Sequence, residues 1–291
     1  MKIKNINKEA KTLISIARTA DLKNTAIPFY DILPSWCFPE RQLRFKAYCV
    51  GMAKTRTTSI HAIFNSVQYR SAHEAEARFL IPKILAFEQG KINQSQLTQY
   101  VKHRDRRLGL EMDSSNINYH LIDILVKEFS EAKFILTIRD CYSWLDSLID
   151  QHISTLTRSL FRHHRADLND LRFRADKKPA QEEIILANYG QYTLDGYFAC
   201  WNEHNSKVLA TVPEERLLVI KTREIDQNLR KIEEFLGIPL GTLPKNVREK
   251  ARKKRFNLLS QIDKDFLEAK ANFHCKELMD KYFPEVKGFN K

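Results

Sequence analysis

The 291-residue chain is 43% apolar and 10% aromatic, with 8 glycines and 9 prolines, which excludes a disordered or low-complexity polypeptide and leaves enough apolar mass for a substantial core. Lysine and arginine number 48 against 36 acidic residues, a net charge of +12 that favours an anionic partner: nucleic acid, an anionic membrane surface or a polyphosphorylated small molecule. The five cysteines are odd in number, widely spread and without a C-x-x-C pair, which argues against a disulfide framework or a zinc site and for a reduced, cytoplasmic setting.

Residues 1–20 are basic and broken by charged side chains; they predict an amphipathic helix with Leu13, Ile14, Ile16 and Ala17 inward. Nowhere do the ~18 apolar residues of a membrane span run together, so no membrane partner is expected. "FKAYCV" (45–50) predicts a buried strand ending at Gly51, and Ile60, Ile63, Phe64 and Val67 mark one face of a helix over 57–67. Helices are expected over 74–90 and 94–104, a strand over 107–113 and a helix over 117–129. "KFILTIRD" (133–140) is the clearest strand, followed by a helix over 142–160. The basic stretch 161–181, with His163 and His164, reads as an excursion from the core. A long helix over 181–207, a strand over 216–222 and a helix over 228–238 closed by Gly237 complete the order. Strands alternating with helices predict an α/β fold: one P-loop-like domain over 1–291, with a central parallel sheet flanked by helices. Its motif-bearing core spans about 45–240, the insert 151–181 is a candidate lid, and 245–291 is a basic C-terminal segment.

A strand, a tight loop and a helix start make an anion site, because the first helical N–H groups lack partners and the helix dipole adds positive potential. In "GMAKTRTTSIHAIF" the loop adds Lys54 and the hydroxyls of Thr55, Thr57, Thr58 and Ser59. The G-x-x-x-x-G-K-[ST] signature of ATP-type loops is absent. A polar turn with a surface lysine would look similar, so a second segment matters. "KFILTIRDCYSWLDSLID" (133–150) puts Arg139 at the C-terminal end of a strand and Ser147 eight residues on, where a parallel sheet binds ligands. The plainer role for Arg139 is a salt bridge with Asp140 or Asp113.

These two segments resemble the sulfotransferases that use 3′-phosphoadenosine-5′-phosphosulfate (PAPS), in particular the soluble bacterial-type enzymes acting on small molecules. "GMAKTRTTSIHAIF" is similar to that family's 5′-phosphosulfate loop, roughly K-[ST]-G-T-T-x-L, and 133–150 to its 3′-phosphate segment. "ERLLVIKTREID…LRKIEEFLGIP" (215–239) is similar to a later strand–helix unit. The resemblance implies that Lys54, Thr55, Arg56, Thr57, Thr58, Ser59, Arg139 and Ser147 bind the donor, with the product PAP left behind and no metal required. One departure is that no clear R-K-G triplet follows near the C-terminus; in its place "REKARKKRF" (248–256) offers Arg252, Lys253 or Lys254 for the remaining 3′-phosphate contact.

Two further departures stand out. Arg56 occupies the usual loop glycine, and Thr222 leaves no aromatic where many members place one against adenine; Tyr192, Tyr197 and Trp201 are the substitutes available. The implied reaction moves a sulfuryl group to an acceptor O–H or N–H, with Lys54 opposing charge on the leaving oxygen and a base taking the acceptor proton. The base candidates are His73 and Glu74, then Asp113, then Glu76, with Glu111 and His120 behind Asp113. Glu74, Glu76 and Asp113 would suit a cationic small molecule such as a guanidinium natural product. An ATP-dependent P-loop kinase and a basic nucleic-acid-binding protein are the alternatives, the latter supported by charge alone.

Overall fold

Five short strands, of which only the last two are rich in β-branched residues, form the sheet of the computed structural model, which describes residues 33, 37–155, 163–247 and 255–290. Its strands are β1 (Ala47–Cys49), β2 (Ser71–His73), β3 (Met112–Ser114), β4 (Lys133–Ile138) and β5 (Leu217–Lys221). They lie in the order β2-β3-β1-β4-β5, and every pairing is parallel. The helices in chain order are α1 (Thr57–Ser66), α2 (Ala77–Glu88), α3 (Gln94–Leu108), α4 (Ile122–Glu128), α5 (Cys141–Thr155), α6 (His163–Arg172), α7 (Ile184–Asn188), α8 (Leu194–Thr211), α9 (Leu229–Leu236) and α10 (Lys264–Tyr282).

Side-chain alternation along the strands assigns the helices to faces. Ala47, Cys49, Ile135, Leu218 and Ile220 pack with Ile60, Ile63 and Phe64 of α1 and Leu229, Ile232 and Leu236 of α9. Tyr48, Val50, Phe134 and Leu136 pack on the other face against α2, α3, α4 and Val208 of α8. A third cluster joins Ile138 to Trp144 and Leu148 of α5, Phe198 and Trp201 of α8, and Leu267 and Cys275 of α10. The chain therefore leaves β1 toward one face and the adjacent β4 toward the other. Their C-terminal ends flank a crevice of the kind that binds ligands in open parallel sheets.

The predicted parallel α/β sheet is present, and five differences from the sequence expectations have local causes. The edge strand β2 was not expected; its three residues show no alternation a pattern could detect. The expected strand at 107–113 begins only at Met112, because α3 runs to Leu108 and ends on Gly109 at φ +55. The expected helix over 181–207 is broken after α7, where Gly190 turns at φ +64 and Thr193 caps α8 by accepting from the Gly196 N–H at 3.1 Å. The helix expected over 117–129 is a 3₁₀ turn over Asn116–Leu121 followed by α4. Helix α10, started by Asp263 accepting from the Phe266 N–H, was not expected. The N-terminal helix with Leu13, Ile14, Ile16 and Ala17 falls outside the described residues, as do Arg252, Lys253 and Lys254. Among the described residues no helix is long and apolar enough to cross a membrane.

Candidate functional site

The loop after β1 turns where a side chain has no room. A Cβ on Gly51 would sit 2.0 Å from Thr137 Oγ1 and 2.7 Å from the Thr137 carbonyl oxygen, so only glycine lets the loop pass this close to β4. Lys54 and Arg56 then adopt left-handed backbone, at φ +70 and φ +67, each at a cost of about 1–2 kcal/mol for a residue with a Cβ.

Hydrogen bonds from three elements hold that shape. Thr55 Oγ1 donates to the Met52 carbonyl at 2.8 Å and lies 2.8 Å from Thr137 Oγ1. Trp144 Nε1 donates to the Ala53 carbonyl at 3.0 Å, and Ser114 Oγ to the Thr57 carbonyl at 2.7 Å. The first backbone bond of α1 runs from Ile60 N to the Arg56 carbonyl, which leaves the Thr57, Thr58 and Ser59 N–H groups without helical acceptors. No acidic residue occupies the first turn. The helix start is therefore an uncompensated cluster of donors at a positive dipole end.

Of the predicted hydroxyls, that of Thr55 is buried and internally bonded, and its N–H also donates to the Met52 carbonyl at 3.3 Å, so it shapes the loop from within. Thr57 Oγ1 lies 3.2 Å from His73 Nε2, Thr58 is half-buried, and Ser59 Oγ lies 3.4 Å from Arg56 Nε. From there the Arg56 guanidinium extends to Asp226, with Nη1 at 3.2 Å from Oδ2.

Arg139, at the end of β4, stands beside this loop. Its Nη1 donates to the Lys54 carbonyl at 3.4 Å and its Nε to Ser143 Oγ at 2.8 Å. Asp140 and Asp113 are not its partners: Asp140 accepts from Ser143 N at 2.8 Å, and Asp113 pairs with Arg104 at 2.9 Å. Burial lowers the Arg139 pKa and Asp140 raises it, while the nearby Arg223 and Arg255 lower it further. The guanidinium stays charged, since its ordinary pKa lies so high. Ser147 lies one turn beyond Ser143, half-buried on the same side of α5. The sequence pointed to Arg139 and Ser147 and missed Ser143, Arg223 and Arg255. Ser143 was legible as i+4 spacing from Arg139; the two arginines carry no local signal.

The four base candidates separate by partner. Glu74 pairs with Arg165 of α6 at 2.6 Å, and Glu76 meets Arg107 with both oxygens, at 2.5 and 2.7 Å. Asp113 and Arg104 form a buried pair whose side chains are each 5% exposed. His73, at the C-terminal end of β2, touches the first residue of α1. Glu111 lies at the other end of the sheet, where Arg44 and the N–H groups of Arg44 and Arg70 overcome burial and hold its pKa at about 2. His120 is pushed well below its ordinary pKa by burial, then by Arg172.

The aromatic substitutes also resolve. Trp201 and Tyr197 are fully buried, with Trp201 Nε1 donating to the Arg139 carbonyl at 3.0 Å, so neither presents a face to adenine. Tyr192 packs on Phe173 and donates its hydroxyl to Asp170. A concavity of about 950 Å³ opens at the N-terminal ends of the strands. It is lined in part by Lys46, Lys102, Asp105 and Glu128, which pair with one another, and none of the loop residues 51–59 reaches it.

A family model described as "Sulfotransferase domain" matches residues 46–256. No curated protein matches the chain. Among solved structures, a sulfotransferase from Alicyclobacillus acidocaldarius aligns at 14% identity over 82% of this chain and 96% of its own, with a TM-score of 0.48. Sulfotransferase STF9 from Mycobacterium avium aligns at 13% identity over 86% and 79%, with a TM-score of 0.49. The mouse sulfotransferase SULT7A1, solved with PAP, aligns at 13% identity over 84% and 87%, with a TM-score of 0.40.

Proposed function

The chain belongs to the sulfotransferase family, and from that premise we propose that it transfers a sulfuryl group from PAPS to a hydroxyl or amine of a small molecule. The observation that carries this proposal is the 3.4 Å contact between Arg139 Nη1 and the Lys54 carbonyl, which brings two cationic strand-to-helix crossings together. A donor with phosphate at both ends of an adenosine needs two such grips at a fixed spacing; ATP does not.

When bound, the donor supplies an activated sulfuryl group. The N–H groups of Thr57, Thr58 and Ser59 hold its 5′-phosphate at the start of α1. Arg139, with Ser143 and Ser147 behind it and Arg223 and Arg255 nearby, holds the 3′-phosphate. Lys54 supplies a cation against the charge that develops on the leaving oxygen. His73 accepts the acceptor proton: Glu74, Glu76 and Asp113 are each engaged by an arginine, whereas His73 faces Thr57 at the edge of the loop. The three carboxylates that suggested a cationic acceptor have compensated charge, so the proposal is limited to a small nucleophile of unspecified charge.

We place the whole chain in one domain, with α6 as a lid over the acceptor side, where Arg165 grips Glu74. Thermal-shift titration with PAP, without metal, tests the donor assignment. Saturation at about a hundred times the dissociation constant adds about 2.7 kcal/mol to stability. Stabilisation by ATP with Mg²⁺ in place of PAP would favour a kinase, and stabilisation by oligonucleotides alone a nucleic-acid-binding protein.

A further inference from the structure

Arg56 breaks two rules at once. It stands where the resembled loop pattern has glycine, and its backbone, at φ +67 and ψ +26, is one that glycine adopts freely and arginine does not. No side chain caps the helix at this position, so the strain is not maintained for capping. What the residue gains is a bridge. Nη1 lies 3.2 Å from Asp226 Oδ2 and 3.4 Å from the Thr222 carbonyl oxygen, and the side chain is only 20% exposed. Thr222 Oγ1 in turn donates to the Ile138 carbonyl at 2.9 Å and lies 3.5 Å from the Thr55 carbonyl. Asp226 also accepts from Asn246 N at 3.2 Å. The loop after β1, the end of β4 and the turn after β5 are thus tied at one point. Arg223, in that turn, is one of the cations that bear on Arg139.

We propose that Arg56 is a positioning residue. It staples the donor loop to the 222–227 turn and fixes the spacing between the helix-start anion site and the Arg139–Arg223 cations before the donor arrives. The proposal rests on the PAPS assignment above and deepens it, because a doubly phosphorylated ligand needs both grips at a set distance. Ordering the loop in advance removes that cost from binding. Nη1 meets the turn and Nε lies 3.4 Å from Ser59 Oγ at the start of α1, while Nη2 is buried with no hydrogen-bond partner among the described residues, so direct contact with a phosphate is the alternative that the variants below decide.

The Asp226 partner makes this separable from direct ligation. Arg56→Gly removes the staple and the strained residue together; Asp226→Asn loosens the staple and leaves the guanidinium free to reach an anion. Calorimetric titration of PAP into the full-length protein and these variants, singly and combined, is the test, with melting temperatures measured alongside. Each single variant is expected to bind PAP about tenfold more weakly, roughly 1.4 kcal/mol. The double variant should bind no more weakly than the worse single one, since either change already opens the bridge. For Arg56→Gly the melting temperature should stay within about 3 °C, because relief of the left-handed backbone offsets the lost ion pair. Arg56→Gly binding PAP as the parent does would overturn the inference. So would Asp226→Asn binding as well as the parent while Arg56→Gly binds weakly, which is the mark of a direct phosphate ligand. If the parent itself does not bind PAP, the donor assignment fails and takes this inference with it.

Discussion

Thr57 Oγ1 and His73 Nε2 lie 3.2 Å apart, joining the first residue of α1 to the last residue of β2. That contact places an imidazole at the rim of the loop after β1, with Glu74, Glu76 and Asp113 all committed to arginines nearby. His73→Asn is expected to lower turnover by about 10²–10⁴-fold, the usual worth of a positioned base. PAP affinity should change less than about threefold, under roughly 0.7 kcal/mol. Steady-state kinetics with a titration check both; full turnover in His73→Asn would return the base to the carboxylates.

Lys54→Ala tests the charge opposite the leaving oxygen. Loss of one such electrostatic contact costs about 10²–10³-fold in kcat. PAP, which lacks the transferring group, should lose less affinity than turnover is lost. Equal losses in kcat and PAP binding would assign Lys54 to ground-state binding alone.

Asp113 and Arg104 are buried together, and breaking such a pair leaves a charge without compensation. Arg104→Met should destabilise the fold by about 3–5 kcal/mol, and Arg104→Met combined with Asp113→Leu should recover part of that loss. Chemical denaturation measures this. A single variant as stable as the parent would contradict the burial of the pair.

His204 and His120 share the pH dependence, since burial lowers the pKa of both, and His204 is the one tested. It is fully buried, its Nε2 lies 2.8 Å from the Val50 carbonyl, and burial first, then Arg172, lowers its pKa to about 3. The folded-state value lies below the ordinary 6.5, so between the two the unfolded chain binds a proton that the folded one refuses. Stability from this group therefore falls as pH drops from about 6.5 toward 3, by up to ~1.4 kcal/mol per pH unit. His204→Gln should flatten that limb of the stability–pH curve. An unchanged slope in His204→Gln would remove His204 as its source.

Much of this was legible in the sequence because it is local. The β1 loop and the β4 end each announce themselves within twenty residues, and the sheet follows from strands alternating with helices. What escaped depends on distant partners or on weak pattern. Strand β2 is three residues at a sheet edge, and its position is set by pairing with β3. Glu74, Glu76 and Asp113 read as available carboxylates, since the arginines that engage them stand 91, 31 and 9 positions away. Trp201 reads as a stacking candidate until α8 is seen to turn its indole inward, onto the Arg139 carbonyl. Arg56 was visible as a departure from the loop pattern, but Asp226 lies 170 positions from it.

In the proposed site two cationic crossings hold the two phosphates of one ligand, and a comparison of PAP with adenosine 5′-monophosphate measures that directly. The parent protein should prefer PAP by at least about 100-fold, roughly 2.7 kcal/mol, and Arg139→Ala should erase most of the preference while leaving the monophosphate nearly untouched. If Arg139→Ala weakens both ligands equally, or the parent does not distinguish them, the 3′-phosphate is not held at the end of β4 and the donor site described above is wrong.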